Sequence, residues 1–76
     1  MTAEEIRTRI EQALPGSNVQ VRDTTGGGDH FEALVSAPQF AGKTTVEQHR
    51  MVYSILGREM AGPIHALALR TSAAQT

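Results

Sequence analysis

At Ala61-Gly62-Pro63 the periodicity of the chain changes, and few folds accommodate that change. Before it, Val46, Tyr53, Leu56 and Met60 recur at helical spacing, which predicts one apolar face on a long helix. After it, Ile64 to Leu69 is a short, nearly unbroken apolar run, the composition of a strand covered on both faces. Gly62 can take the left-handed conformation that closes a helix, and Pro63 cannot continue one. His65 is the polar exception in the run. A titratable ring at the mouth of a strand is the first residue in this chain that could do chemistry.

The upstream segments supply what that helix and strand need. Thr2 and Glu5 have capping-box spacing, and Ala3, Ile6, Ile10, Ala13 and Leu14 form one stripe of a first helix that Pro15-Gly16 ends. Asn18 to Thr24 alternates as a half-buried strand, with Val19 and Val21 on the inner face. His30 to Ser36 alternates likewise, with Phe31, Ala33 and Val35 on one face and His30, Glu32 and Leu34 on the other. Between these strands lies Thr25-Gly26-Gly27-Gly28-Asp29. Three glycines allow close backbone approach of a ligand or partner at Gly27, Gly28 and Asp29; a flexible hairpin connection is the simpler account. No helix follows, so it is not a phosphate loop. Ala37 to Gly42 is a connection with one buried anchor, Phe40, and Thr44 or Thr45 caps the long helix. Ser72 to Thr76 is expected to fray.

The predicted order is α-β-β-α-β: an antiparallel hairpin, then a crossover whose strands pair in parallel and right-handedly. The fold class is α+β, a mixed three-stranded sheet with both helices on one face. His30 and His65 open the second and third strands. In a parallel pair both openings lie at one edge, about 4.8 Å apart, so the two rings can face each other across a shallow site. His49, on the predicted apolar face, reads as a packed structural histidine, and Tyr53 as core with its hydroxyl at the boundary.

Composition narrows the function classes. The 76 residues read as one domain, residues 1–76, with an ordered core over about 2–71 and a thin interior. There is no cysteine, hence no disulfide and no thiolate for a metal. The net charge of -1 argues against bulk attraction to nucleic acid or acidic membranes. Lys43, Arg50, Arg58 and Arg70 form at most a modest basic patch, with Glu47 and Glu59 interspersed. No apolar run reaches membrane-span length, and the charged N-terminus is unlike a signal peptide, so a cytoplasmic location is expected. No nucleophile–base set or placed carboxylate pair points to an enzyme. His30, His65 and Asp29 make an incomplete metal site that a partner with softer ligands could complete, as two histidines sit beside cysteines in Rieske centres.

DHFEALVSAPQFAGK, EQHRMVYSILGREM and IHALALRT together resemble the BolA family, over a stretch from Ile6 to Thr71. The resemblance implies an α-β-β-α-β fold with a short extra helix, similar to a class II KH domain. It implies partnership with monothiol glutaredoxins in iron–sulfur and iron-homeostasis pathways and, for some members, DNA-binding transcriptional regulation. In the family pattern the histidine of the IHA segment is the third-strand cluster ligand, and it falls on His65. The family's second ligand is a cysteine or histidine in the loop between the first two strands. That loop is TTGGGD here, with neither, and His30 follows it directly. The expectation is therefore a non-enzymatic adaptor, monomeric alone and heterodimeric with a monothiol glutaredoxin. It would share or receive a 2Fe–2S cluster through His65 and His30, with thiolate from the partner or glutathione. The alternative is a DNA-binding regulator using the KH-like face with Lys43, Arg50, Arg58 and Arg70. It lacks the GXXG clamp of KH domains and carries the wrong net charge for a non-specific binder.

Overall fold

Two threonines start the two helices by the same device. In α1 (Ala3–Ala13) the Thr2 hydroxyl accepts from the Glu5 N–H, and the Glu5 carboxylate accepts from the Thr2 N–H. In α2 (Thr45–Leu56) Thr44 and Glu47 repeat the exchange. Each box satisfies two backbone donors that a helix start would otherwise leave open. The computed structural model describes residues 2–57 and 66–73.

Between and after the helices run β1 (Asn18–Asp23), β2 (His30–Ala37), a 3-10 turn (Pro38–Phe40) and β3 (Ala66–Ala73). The sheet order is β1-β2-β3. β1 pairs antiparallel with β2, with Val19 opposite Val35 and Asp23 opposite Phe31. β2 pairs parallel with β3, with His30 opposite Ala66 and Ala37 opposite Ala73. The expected mixed sheet and crossover are therefore present.

Alternation along the strands decides where the core lies. Val19, Phe31, Ala33, Val35 and Ala37 are buried with Ile6, Ile10 and Leu14 of the first helical segment and Val52 and Leu56 of α2. Leu67 and Leu69 of β3 pack against the same cluster. Both helices thus cover one face of the sheet. Phe40 is fully buried beneath the 3-10 turn, as the sequence predicts. Burying such a ring contributes about 1.5–3 kcal/mol relative to leaving it in water.

Several expectations need correction. The apolar face of α2 is not the Val46–Tyr53 face: Val46 is 59% and Tyr53 38% exposed. The buried row is Gln48, Val52 and Leu56, with Met51 and Ile55 half-buried beside it. Gln48, 8% exposed, sits where a pattern of apolar residues has no reason to look. His49 is half-buried, with its ring edge-on to Tyr53 at 6.4 Å. Ala13 in α1 is exposed. α2 ends at Leu56, and Gly57 closes it with φ of 54° and its N–H on the Tyr53 carbonyl. That is earlier than the Gly62-Pro63 break, which lies outside the described residues, as do Arg58, Met60 and His65. β3 is not covered on both sides: Leu67, Leu69 and Thr71 are half-buried, while Ala68, Arg70 and Ser72 are exposed. Ser72 and Ala73, expected to fray, extend β3 by pairing with Ser36 and Ala37.

Candidate functional site

The edge at which β2 and β3 open is organised by Asp23, the last residue of β1. Its Oδ1 accepts from the N–H groups of Thr25 (3.2 Å) and Gly26 (2.8 Å), and its Oδ2 from that of Gly28 (2.9 Å). Gly26 and Gly28 have φ of 79° and 76°, the left-handed region in which a side chain is strained. The glycines let the backbone wrap one carboxylate so that three donors converge on it, a concave arrangement of the kind that binds anions. The hairpin thus satisfies its backbone internally, and the N–H groups of Gly27 and Gly28 are already used, the former by the Thr25 hydroxyl at 3.2 Å. Sequence reading missed Asp23. Its signal was an Asp at a strand end followed by Thr-Thr-Gly, the composition of an Asx turn.

The loop closes on His30. The Thr24 N–H and hydroxyl both donate to the His30 carbonyl, at 3.0 and 3.1 Å. The His30 side chain is 44% exposed, yet its Nδ1 is shut off from solvent. Oδ1 of Asp29 stands 3.0 Å from that nitrogen, an electrostatic contact off the axis of an ideal hydrogen bond. The Thr25 hydroxyl donates to the same carboxylate oxygen at 3.3 Å. Gly27 leaves room for it: a Cβ there would stand 3.2 Å from Asp29 Oδ1.

Across the sheet His30 is paired with Ala66, the residue that directly follows His65 in the chain. His65 itself lies outside the described residues. Among the described residues no three of His, Cys, Asp and Glu gather as a metal site. A 2Fe–2S cluster held only by protein needs four ligands, two on each iron. The described donors at this edge, the His30 imidazole, the Asp29 carboxylate and an Asp23 carboxylate already taken up by three backbone N–H groups, with no cysteine in the chain, do not make a self-contained centre. They fit a site completed by thiolates from another molecule.

Among the described residues the basic side chains do not converge. Arg50 is exposed on α2, beside Ala13, Leu14 and Met51. Arg70 lies on the opposite, uncovered face of the sheet with Gln20 and Leu34. Lys43 is in the loop before α2, and Arg58 is outside the described residues. On the uncovered face Arg22 makes a two-oxygen contact with Glu32, both at 3.2 Å. No described helix is long and apolar enough to cross a membrane.

Order, register and one-sided packing define a small α+β domain with a three-stranded mixed sheet and a polar opening edge. The sequence profile described as BolA-like protein matches residues 6–76, and the chain belongs to the BolA-like family. A solved bolA protein homologue from Coxiella burnetii is 42% identical, superposes with a TM-score of 0.78, and covers 96% of this chain and 91% of its own. BolA-like protein 1 of Bos taurus is 38% identical over 72 residues, 86% of this chain and 53% of its own length. The chain thus spans about half the length of the first mammalian relatives it matches. The DNA-binding transcriptional regulator BolA of Escherichia coli is 34% identical over 87% of this chain and 73% of its own.

Proposed function

We propose that this protein is a non-enzymatic adaptor that binds a monothiol glutaredoxin and shares or receives a 2Fe–2S cluster with it. The observation that carries the reading is the His30–Ala66 pairing. The parallel register brings the openings of β2 and β3 to one edge, and His65 is the residue before Ala66. One edge then offers imidazole without thiolate, the half of a mixed-ligand site that glutathione and a partner cysteine complement. His65 is the first assigned ligand and His30 the second. Each ring would ligate through a neutral nitrogen, so protons compete with the metal at this half of the site as they do at the partner's thiolates. Gly27 and Gly28 act in this reading by shaping the loop around Asp23, and Asp29 by its contact with His30.

The test is co-expression with a monothiol glutaredoxin, followed by visible absorbance and circular dichroism of the purified complex. A coloured heterodimer is expected, and His65→Ala should alter its visible circular dichroism and speed cluster loss. An unchanged spectrum and loss rate in that variant would remove the His65 assignment. If only His30→Ala is without effect, the second ligand belongs to the partner.

The competing reading is DNA binding, which the name of the Escherichia coli relative supports. The separation of Arg50 from Arg70 works against one continuous basic surface. Duplex affinity tighter than about 1 µM at physiological salt, falling steeply as salt rises, would favour it over the adaptor.

A further inference from the structure

We propose that Asp29 is a positioning residue that fixes the proton of neutral His30 on Nδ1 and so makes Nε2 the ligating nitrogen; the metal part rests on the function proposed above. Three observations converge on this carboxylate. Oδ1 stands 3.0 Å from Nδ1. The Thr25 hydroxyl holds the same oxygen at 3.3 Å. Gly27 leaves the space that a Cβ would contest, 3.2 Å from that oxygen and 3.4 Å from the Thr25 hydroxyl.

The physical argument is one of tautomers. A neutral imidazole carries one N–H and one lone pair, and the partner of one nitrogen decides the state of the other. A lone pair on Nδ1 would face a carboxylate oxygen, two electron-rich atoms in contact. A proton there turns the repulsion into attraction. Nδ1 is also shut off from solvent, so water does not compete at that nitrogen. The lone pair is then left on Nε2, and the solvent-exposed part of the side chain lies in its remaining atoms. Carboxylates on the far nitrogen of ligating histidines orient the ring and raise its basicity, and their loss costs about 10–100-fold in metal affinity or activity.

The chain has three histidines, which makes imidazole nitrogen NMR readable residue by residue. The free protein, at a pH well above the ordinary imidazole range, should show His30 as the Nδ1–H tautomer. Asp29→Ala should move it toward Nε2–H, and Gly27→Ala should move it the same way by less, with the folded spectrum kept. A wild-type His30 in the Nε2–H form, or a tautomer indifferent to Asp29→Ala, overturns the proposal. In the glutaredoxin complex Asp29→Ala should hasten cluster loss about 10-fold. A shifted tautomer with an unchanged loss rate overturns the assignment of Nε2 as ligand. A wild-type complex that carries no cluster refutes the adaptor function, whereas the tautomer measurement needs no metal and stands apart from it.

Discussion

The Thr71 hydroxyl donates a 2.6 Å hydrogen bond to Oε1 of Gln48, joining β3 to α2 inside the protein. The amide nitrogen of the same side chain donates to the carbonyls of Phe40 at 3.3 Å and Lys43 at 3.0 Å. One buried amide therefore ties the 3-10 turn, the start of α2 and the third strand together. In a low-dielectric interior, such a network is stabilising only while every member is satisfied.

Gln48→Ala should destabilise the protein by about 1–3 kcal/mol, because it takes the partner from the part-buried Lys43 carbonyl and Thr71 hydroxyl, while the Phe40 carbonyl keeps the Lys43 N–H. Thr71→Val should cost less, about 1–2 kcal/mol, since it orphans only Oε1. Urea denaturation of both single variants and the double variant checks this. If the double variant costs the full sum of the singles, the two side chains are not coupled.

Phe40→Ala should cost about 3–5 kcal/mol through lost burial and the cavity left behind. A domain of this size has a total stability of roughly 4–11 kcal/mol, so much of the protein would be close to its unfolding threshold at 37 °C. Thermal unfolding followed by circular dichroism gives the answer; a shift of a few degrees or less would mean that the turn repacks around the missing ring.

Asp23→Ala should leave the fold in place and disturb the loop. Three N–H groups lose their acceptor at once, at a cost of about 1–3 kcal/mol given the loop's access to water. Backbone amide spectra should change between Thr24 and His30 and little elsewhere. Changes spread through the helices would show that the loop supports more of the molecule than its bonds indicate.

Acid should loosen both helix starts. The Thr2 N–H on Glu5, and the Thr44 N–H on Glu47, are the largest influences holding these carboxyls below the ordinary value of 4.5. A carboxyl whose pKa is lower folded than unfolded binds fewer protons in the folded state. Its contribution is therefore full above the ordinary glutamate range and is lost as pH falls through the lowered values. Stability measured against pH in Glu5→Gln and Glu47→Gln should be flatter over that acid interval than in the parent. An unaltered slope would place the acid sensitivity in other carboxylates.

How much of this was readable beforehand follows from what each element hides. Strands β1 and β2 alternate cleanly, so their faces and pairing were legible from Val19, Val21, Phe31, Ala33 and Val35. The threonine caps and Phe40 carried local signals of their own. The face of α2 was obscured because Gln48 occupies a core position, and polarity patterns do not count an amide that satisfies itself inside. Val46 and Tyr53 then completed a more apolar but incorrect stripe. Gly57 lost to Gly62-Pro63 as a stop signal because a lone glycine is weaker punctuation than a glycine–proline pair. In β3, Ala68 made the outward row look apolar, since alanine is tolerated on either face. The Asp29–His30 contact depends on side-chain placement, which spacing does not encode.

Sheet order equals chain order, and that bears on when the proposed site comes into being. The β1–β2 hairpin closes over a short loop, whereas β2 and β3 meet only after the whole of α2 has been accommodated between them. Local closures are fast and distant ones slow. A chain arrested with the hairpin formed would already own the Asp23 loop and His30 but not the Ala66 partnership beside it. Assembly of the edge is then a late event, and a binding partner that needs both openings would discriminate finished molecules from unfinished ones. Pulsed hydrogen exchange during refolding would show this as earlier protection at Val21 and Ala33 than at Leu67 and Leu69.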